Sequence, residues 1–102
     1  MDIARELSVA MKTGQVIIGS KRTIKACIHG KAKMVIVSMN CPEDIRRSIE
    51  YYCKLSNIPI YEYPGTSWDL GSLCRKPFMV AALAIIDPGN SDILLLVQRE
   101  EE

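Results

Sequence analysis

The chain contains one histidine, one phenylalanine and one tryptophan, and its four cysteines include no C-x-x-C pair. Each scarcity closes a class of function. With His29 as the only imidazole and Cys27, Cys41, Cys53 and Cys74 scattered, zinc finds no ligand set of ordinary spacing. A chain of 102 residues that is 48% hydrophobic can build one core without staples, so the cysteines are expected as buried free thiols. Glycine is sparse where nucleotide chemistry needs it: Gly19 lacks the further glycines of a dinucleotide fingerprint and the G-K-[ST] ending of a phosphate-binding loop. Long apolar runs are missing too, since those at 34–37, 80–86 and 93–97 are far too short to cross a bilayer. Met1 leads at once into the charged Asp2, Arg5 and Glu6, so no signal peptide is expected. The expectation is a single cytoplasmic domain over residues 1–102, without metal, cofactor or membrane.

Acid is absent from residues 7–42, which carry Lys12, Lys21, Arg22, Lys25, Lys31 and Lys33, while the rest of the chain is net acidic. The formal net charge of +1 therefore hides a basic first half suited to a polyanion, or simply a solvated lysine face. Within it, Val16-Ile17-Ile18-Gly19-Ser20-Lys21-Arg22-Thr23 runs from a short strand through a glycine into the start of a helix. Gly19 lets the backbone turn and approach a ligand, Ser20 can cap the helix, and the first-turn N–H groups stand beside Lys21 and Arg22. Phosphate suits such a corner.

The element order reads helix (Ile3, Leu7, Ala10 and Met11 inward, closed by Gly14), strand 16–18, helix 20–28 with Ile24, Cys27 and Ile28 inward, then a central strand at 34–37. A helix follows with Pro42 in its first turn and Ile45, Ile49, Tyr52 and Cys53 inward, stopped by Asn57. A strand at 58–63 comes next, then a short helix capped by Thr66 or Ser67, with Trp68 packed at its start and Leu70 and Leu73 inside. A strand at 80–86, a turn at 87–90 and a last strand pairing back at 93–97 complete the series, before a frayed Glu100-Glu101-Glu102 end. Alternating helices and strands predict an α/β domain with helices on both faces of a mixed sheet.

Ligands of such sheets bind beyond the carboxyl ends of the strands. Two polar loops meet that description, Gly19-Ser20-Lys21-Arg22 and Ser38-Met39-Asn40. Asn40 offers an amide suited to a base edge, or alternatively a cap or turn residue. In the loop Arg75-Lys76-Pro77-Phe78-Met79-Val80, Phe78 can stack on an unpaired base and Val80 can press on its face, with core burial the competing reading for Phe78.

Taken together, G-S-K-R-T-I-K (19–25), M-V-I-V-S-M-N-C-P (34–42), I-E-Y-Y-C-K-L-S (49–56), I-P-I-Y-E-Y-P-G-T-S-W-D-L-G (58–71) and D-P-G-N-S-D-I-L (87–94) resemble the L-thirty-e family of large-subunit ribosomal proteins. That family, of archaea and eukaryotes, lies within the wider kink-turn-binding L-seven-Ae superfamily. The resemblance implies a three-layer α/β/α sandwich with a mixed sheet of about four strands, and binding to RNA internal loops bent around sheared G·A pairs. It implies that Gly19 and Lys21 meet the bent backbone and the G·A pairs, that Asn40 reads a guanine edge, and that Phe78 and Val80 hold the flipped-out base region. Ser20 stands where relatives vary, and Ile45 stands where some relatives carry arginine, so Arg46 would substitute from the next position.

The expected RNA-binding residues are thus Gly19, Ser20, Lys21, Arg22, Lys25, Asn40, Arg46, Phe78 and Val80. The expected function is that of a non-catalytic constituent of the large ribosomal subunit, a monomer outside the ribosome, with ribosomal RNA and neighbouring ribosomal proteins as partners. Two alternatives stand beside it: a small enzyme or ligand-binding module that uses the Gly19 corner for a phosphorylated metabolite or nucleotide, and a kink-turn protein of a non-ribosomal RNA particle.

Overall fold

A computed structural model describes residues 2–98, so the expected frayed end at Glu100-Glu101-Glu102 lies outside the described residues. In chain order the elements are α1 (Ile3–Thr13), β1 (Gln15–Ile18), α2 (Ser20–Ile28), β2 (Met34–Ser38), α3 (Glu43–Ser56), β3 (Ile60–Tyr63), α4 (Ser67–Leu73), β4 (Ala82–Asp87) and α5 (Leu95–Gln98). The sheet order is β1-β4-β2-β3. β4 runs antiparallel to both β1 and β2, and β2 runs parallel to β3.

The unbroken apolar character of β2 follows from helices covering both faces of the sheet. Met34 and Ile36 join Leu83 and Ile85 of β4 on one face, against Leu7 and Ala10 of α1, Leu70 of α4 and Val97 of α5. Val35 and Val37 join Ala82 and Ala84 on the other, against Ala26 and Cys27 of α2 and Ile49 and Cys53 of α3. This is the strand period of two read out in space, and the result is a three-layer α/β/α sandwich.

Four local expectations are corrected. Residues 93–97 form no strand: β4 already pairs on both edges, and the segment instead turns through Leu95 N–H to Asp92 and Val97 N–H to Leu94 into α5. That turn buries Ile93 and Val97 together in the α1 face. Ile28 is 51% exposed, because the inward stripe of α2 is Thr23, Ala26 and Cys27. Pro42 is the N-cap of α3 and not a first-turn residue, and Trp68 is 62% exposed instead of packed. The four cysteines are free and buried, as expected.

Candidate nucleic-acid interface

Because β4 is antiparallel to β1 and β2, its entry lies beside their exits, and this gathers three loops at one end of the sheet. The entry to β4 is the hub. Gly19 N–H donates to the Ala82 carbonyl at 3.0 Å on one side, and Ser38 N–H donates to the Ala81 carbonyl at 2.9 Å on the other. Between them opens a groove of about 420 Å³ whose walls include Gly19, Ser20, Asn40, Ser67, Phe78 and Met79.

Gly19 caps α2 with φ +115°, a backbone region that side chains rarely adopt, and a Cβ there would meet nothing within 4 Å. The conformation demands glycine and the space in front of it is open. The expected capping by Ser20 does not occur: α2 has no side-chain cap, and Ser20 is its first helical residue. Thr23 N–H is the first to find its intrahelical carbonyl, that of Gly19, at 2.9 Å. The N–H groups of Ser20, Lys21 and Arg22 therefore point outward, the arrangement in which a helix end holds an anion.

Asn40 is fixed from outside its own loop. Its side-chain oxygen accepts the Ser67 N–H at 2.7 Å, and Met39 N–H donates to the Gly65 carbonyl at 2.9 Å. The acceptor end of the amide is occupied, so its NH₂ group is the end free to address a ligand. The Ser67 carbonyl also accepts Val80 N–H at 2.9 Å, so the first turn of α4 clasps both the Asn40 loop and the loop that carries Phe78. α4 is itself held by a capping box between Thr66 and Asp69.

Phe78 is 51% exposed, as its flanking cations suggested, and Met79 beside it is 65% exposed. Gly71 gives this loop its seat, since a Cβ there would overlap the Phe78 carbonyl oxygen. Val80 lies at the groove wall but is 1% exposed, with its side chain packed in the α1-side core and its N–H held by Ser67, so it offers a base face little surface. Arg46 is engaged within the chain. Its guanidinium donates to the Ser38 carbonyl at 3.1 Å and pairs with Glu62 at 2.8 Å, which makes it the brace of the Asn40 loop.

The cations divide. Lys21 stands exposed on the first turn of α2, while Arg22 and Lys25 border a separate recess with Ile17, Ala26, His29 and Lys31. Sequence reading did not single out Met79, which is 65% exposed on the groove wall, or Ser67, which acts through its backbone. Neither carries a pattern that would have marked it.

A comparison of families decides the lineage: residues 1–95 match the model described as the ribosomal protein L7Ae/L30e/S12e/Gadd45 family. The chain belongs to that family. Within the L7Ae/L30e/S12e/Gadd45 family it is similar to large ribosomal subunit protein eL30 of Methanothermobacter thermautotrophicus, 57% identical over 97 residues, which cover 95% of this chain and 99% of the relative. The eL30 protein of Methanopyrus kandleri is 46% identical over 101 residues, covering 99% of this chain and 93% of the relative. That of Saccharolobus solfataricus is 52% identical over 93 residues, covering 91% and 86%. Among the described residues, no helix of this family member is long and apolar enough to cross a membrane.

Proposed function

We propose that this chain is a structural, RNA-binding constituent of the large ribosomal subunit in the cytoplasm, and that its three-loop groove grips a kink-turn-like internal loop of ribosomal RNA. The observation that carries the reading is the Asn40 amide, held at its oxygen by Ser67 with its donor end free in the groove that Gly19 and Phe78 also line. Membership of a ribosomal-protein family supports the same role and calls for no catalysis or cofactor.

Each part then has a task. The outward N–H groups at the start of α2, with Lys21, take the sharply bent phosphate backbone. The Asn40 NH₂ donates to an acceptor on a guanine edge. Phe78, flanked by Met79, stacks on the unpaired base expelled by the bend. Arg46 holds the Asn40 loop without touching RNA, and Val80 seats the Phe78 loop from the core. Arg22 and Lys25 sit farther along α2 and add a general attraction for phosphate. Outside the ribosome the chain is a monomer, and within it neighbouring ribosomal proteins complete its surroundings.

The test is quantitative binding to a kink-turn RNA. Lys21→Ala and Asn40→Ala each weaken it while the circular dichroism spectrum is unchanged; full-strength binding by both variants overturns the assignment. Co-sedimentation with large subunits on a sucrose gradient separates the ribosomal role from that in another RNA particle. Calorimetry with a nucleotide panel is expected to show no micromolar binding, whereas such binding without RNA preference favours a metabolite site.

A further inference from the structure

The loop that leaves α4 borders two grooves. Phe78, Met79 and Val80 line the one shared with Gly19 and Asn40, while Cys74, Arg75 and Lys76 line another between α1 and α4. The second groove consists of two adjoining recesses of about 470 and 210 Å³ that share Ser8, Lys12, Leu73 and Arg75. Its charge is one-sided. Arg5 and Lys12 come from α1 and Arg75 and Lys76 from the loop, all four exposed and none in an ion pair among the described residues. The single acid on the wall, Asp2, is the α1 cap and accepts the Arg5 backbone N–H at 3.2 Å. Glu6 is engaged elsewhere, accepting the Asp92 N–H at 2.8 Å.

Spacing fits a nucleic-acid strand. Arg5, Ser8 and Lys12 share one helical face, and Arg5 to Lys12 spans ~10 Å at about 1.5 Å per residue. That is about three nucleotides at roughly 3.4 Å of rise each. Arg75 sits just past the end of α4 with φ +57°, where glycine is the strain-free residue, yet an arginine stands there and lines both recesses.

We propose that the α1–α4 groove is a second RNA-contact surface, which takes the phosphate backbone of a strand leaving the first groove across the Lys76–Pro77 crest. The inference rests on the RNA-binding reading above and extends it from one recognition point to a path. Continuity favours RNA over an acidic protein segment, since residues 74–80 of one loop border both grooves. Cations and the hydroxyls of Ser8 and Ser72 suit phosphate, which needs charge and donors more than an apolar anchor.

Two RNAs test it: a minimal kink-turn whose stems end at the first groove, and the same loop with an extended stem. The double variant Lys12→Gln/Arg75→Gln is expected to bind the minimal RNA like the parent protein but the extended RNA about tenfold more weakly. Its slope of log affinity on log salt for the extended RNA should fall by about 1.5, the release of two phosphate contacts. Arg75→Gly, which removes the guanidinium while relieving the backbone, shows a smaller defect of the same kind without loss of thermal stability. Parent protein that binds both RNAs with equal affinity and slope overturns the proposal, as does a double variant unchanged on the extended RNA, the result expected if an acidic protein occupies the groove. Lys21→Ala/Asn40→Ala, measured alongside, weakens both RNAs, and its failure to do so counts against the first groove instead.

Discussion

The Asn40 side-chain oxygen accepts the Ser67 backbone N–H at 2.7 Å, joining a loop after β2 to the first turn of α4 across 27 residues of chain. The bond orients the amide before any ligand arrives. Asn40→Asp keeps the acceptor for Ser67 and replaces the outward donor with a carboxylate oxygen, so the fold is retained while RNA binding falls by about 1–3 kcal/mol. A filter-binding titration with a melting curve on the same sample checks both halves; a variant that binds normally would falsify the donor role.

Arg46 acts on the same loop from below. Arg46→Ala removes the bond to the Ser38 carbonyl and the pairing with Glu62, and is expected to cost about 1 kcal/mol of stability because the pair is partly exposed. Glu62→Gln, which leaves the Ser38 bond in place, should do less. RNA affinity should follow the same order, measured by gel shift, and an unaffected Arg46→Ala would remove the brace from the account.

Two glycines separate conformation from packing. Gly19→Ala meets no atom but must adopt a strained backbone, costing about 1–3 kcal/mol. Gly71→Ala has an ordinary backbone and overlaps the Phe78 carbonyl oxygen, so it displaces the Phe78–Met79 loop. Chemical denaturation reads the first, and loss of RNA binding beyond any loss of stability reads the second.

Cys74, pushed up to about 11 from an ordinary value of 9.0 by burial, gives the fold an alkaline weakness. Its folded value lies above its unfolded one, so the stability it contributes is complete below pH 9 and is lost as pH rises towards 11. Cys74→Ala, whatever its cost at neutral pH, should show a shallower decline across that window. Equal declines for both proteins would exclude the thiol.

The Cys27 and Cys53 sulfurs lie 3.4 Å apart between α2 and α3, both buried. Their mutual hydrogen bond lowers the Cys27 thiol and raises the Cys53 thiol, with burial raising both. In the native state both are expected to label slowly with iodoacetamide and rapidly in urea. A mass spectrum of the alkylated protein checks this, and fast native labelling of either contradicts their burial.

Much of this was legible along the chain because it depends on near neighbours. Helical spacing in α1, the Gly14 and Asn57 stops and the apolar run of β2 are local periodicities, and the resemblance of the 58–71 block carried the family. Lys21 showed as a cation at a helix start, and Asn40 and Phe78 as loop residues whose chemistry suits RNA. What failed is equally physical. Residues 93–97 have strand composition, but β4 had no free edge left for them, a fact set by β1 and β2 together. Nor could the chain alone show that Val80, at the groove wall, packs its side chain into the core, or that Arg46 is engaged by Ser38 and Glu62.

By itself, then, the sequence determined the elements, the family and the chemistry available at each loop, since these depend on residues within a few positions of one another. Only the tertiary structure decided which loops share a groove and which side chains face it. That choice follows from the antiparallel placement of β4 between β1 and β2, which brings Gly19, Asn40 and Phe78 to one sheet end through hydrogen bonds between residues far apart in the chain.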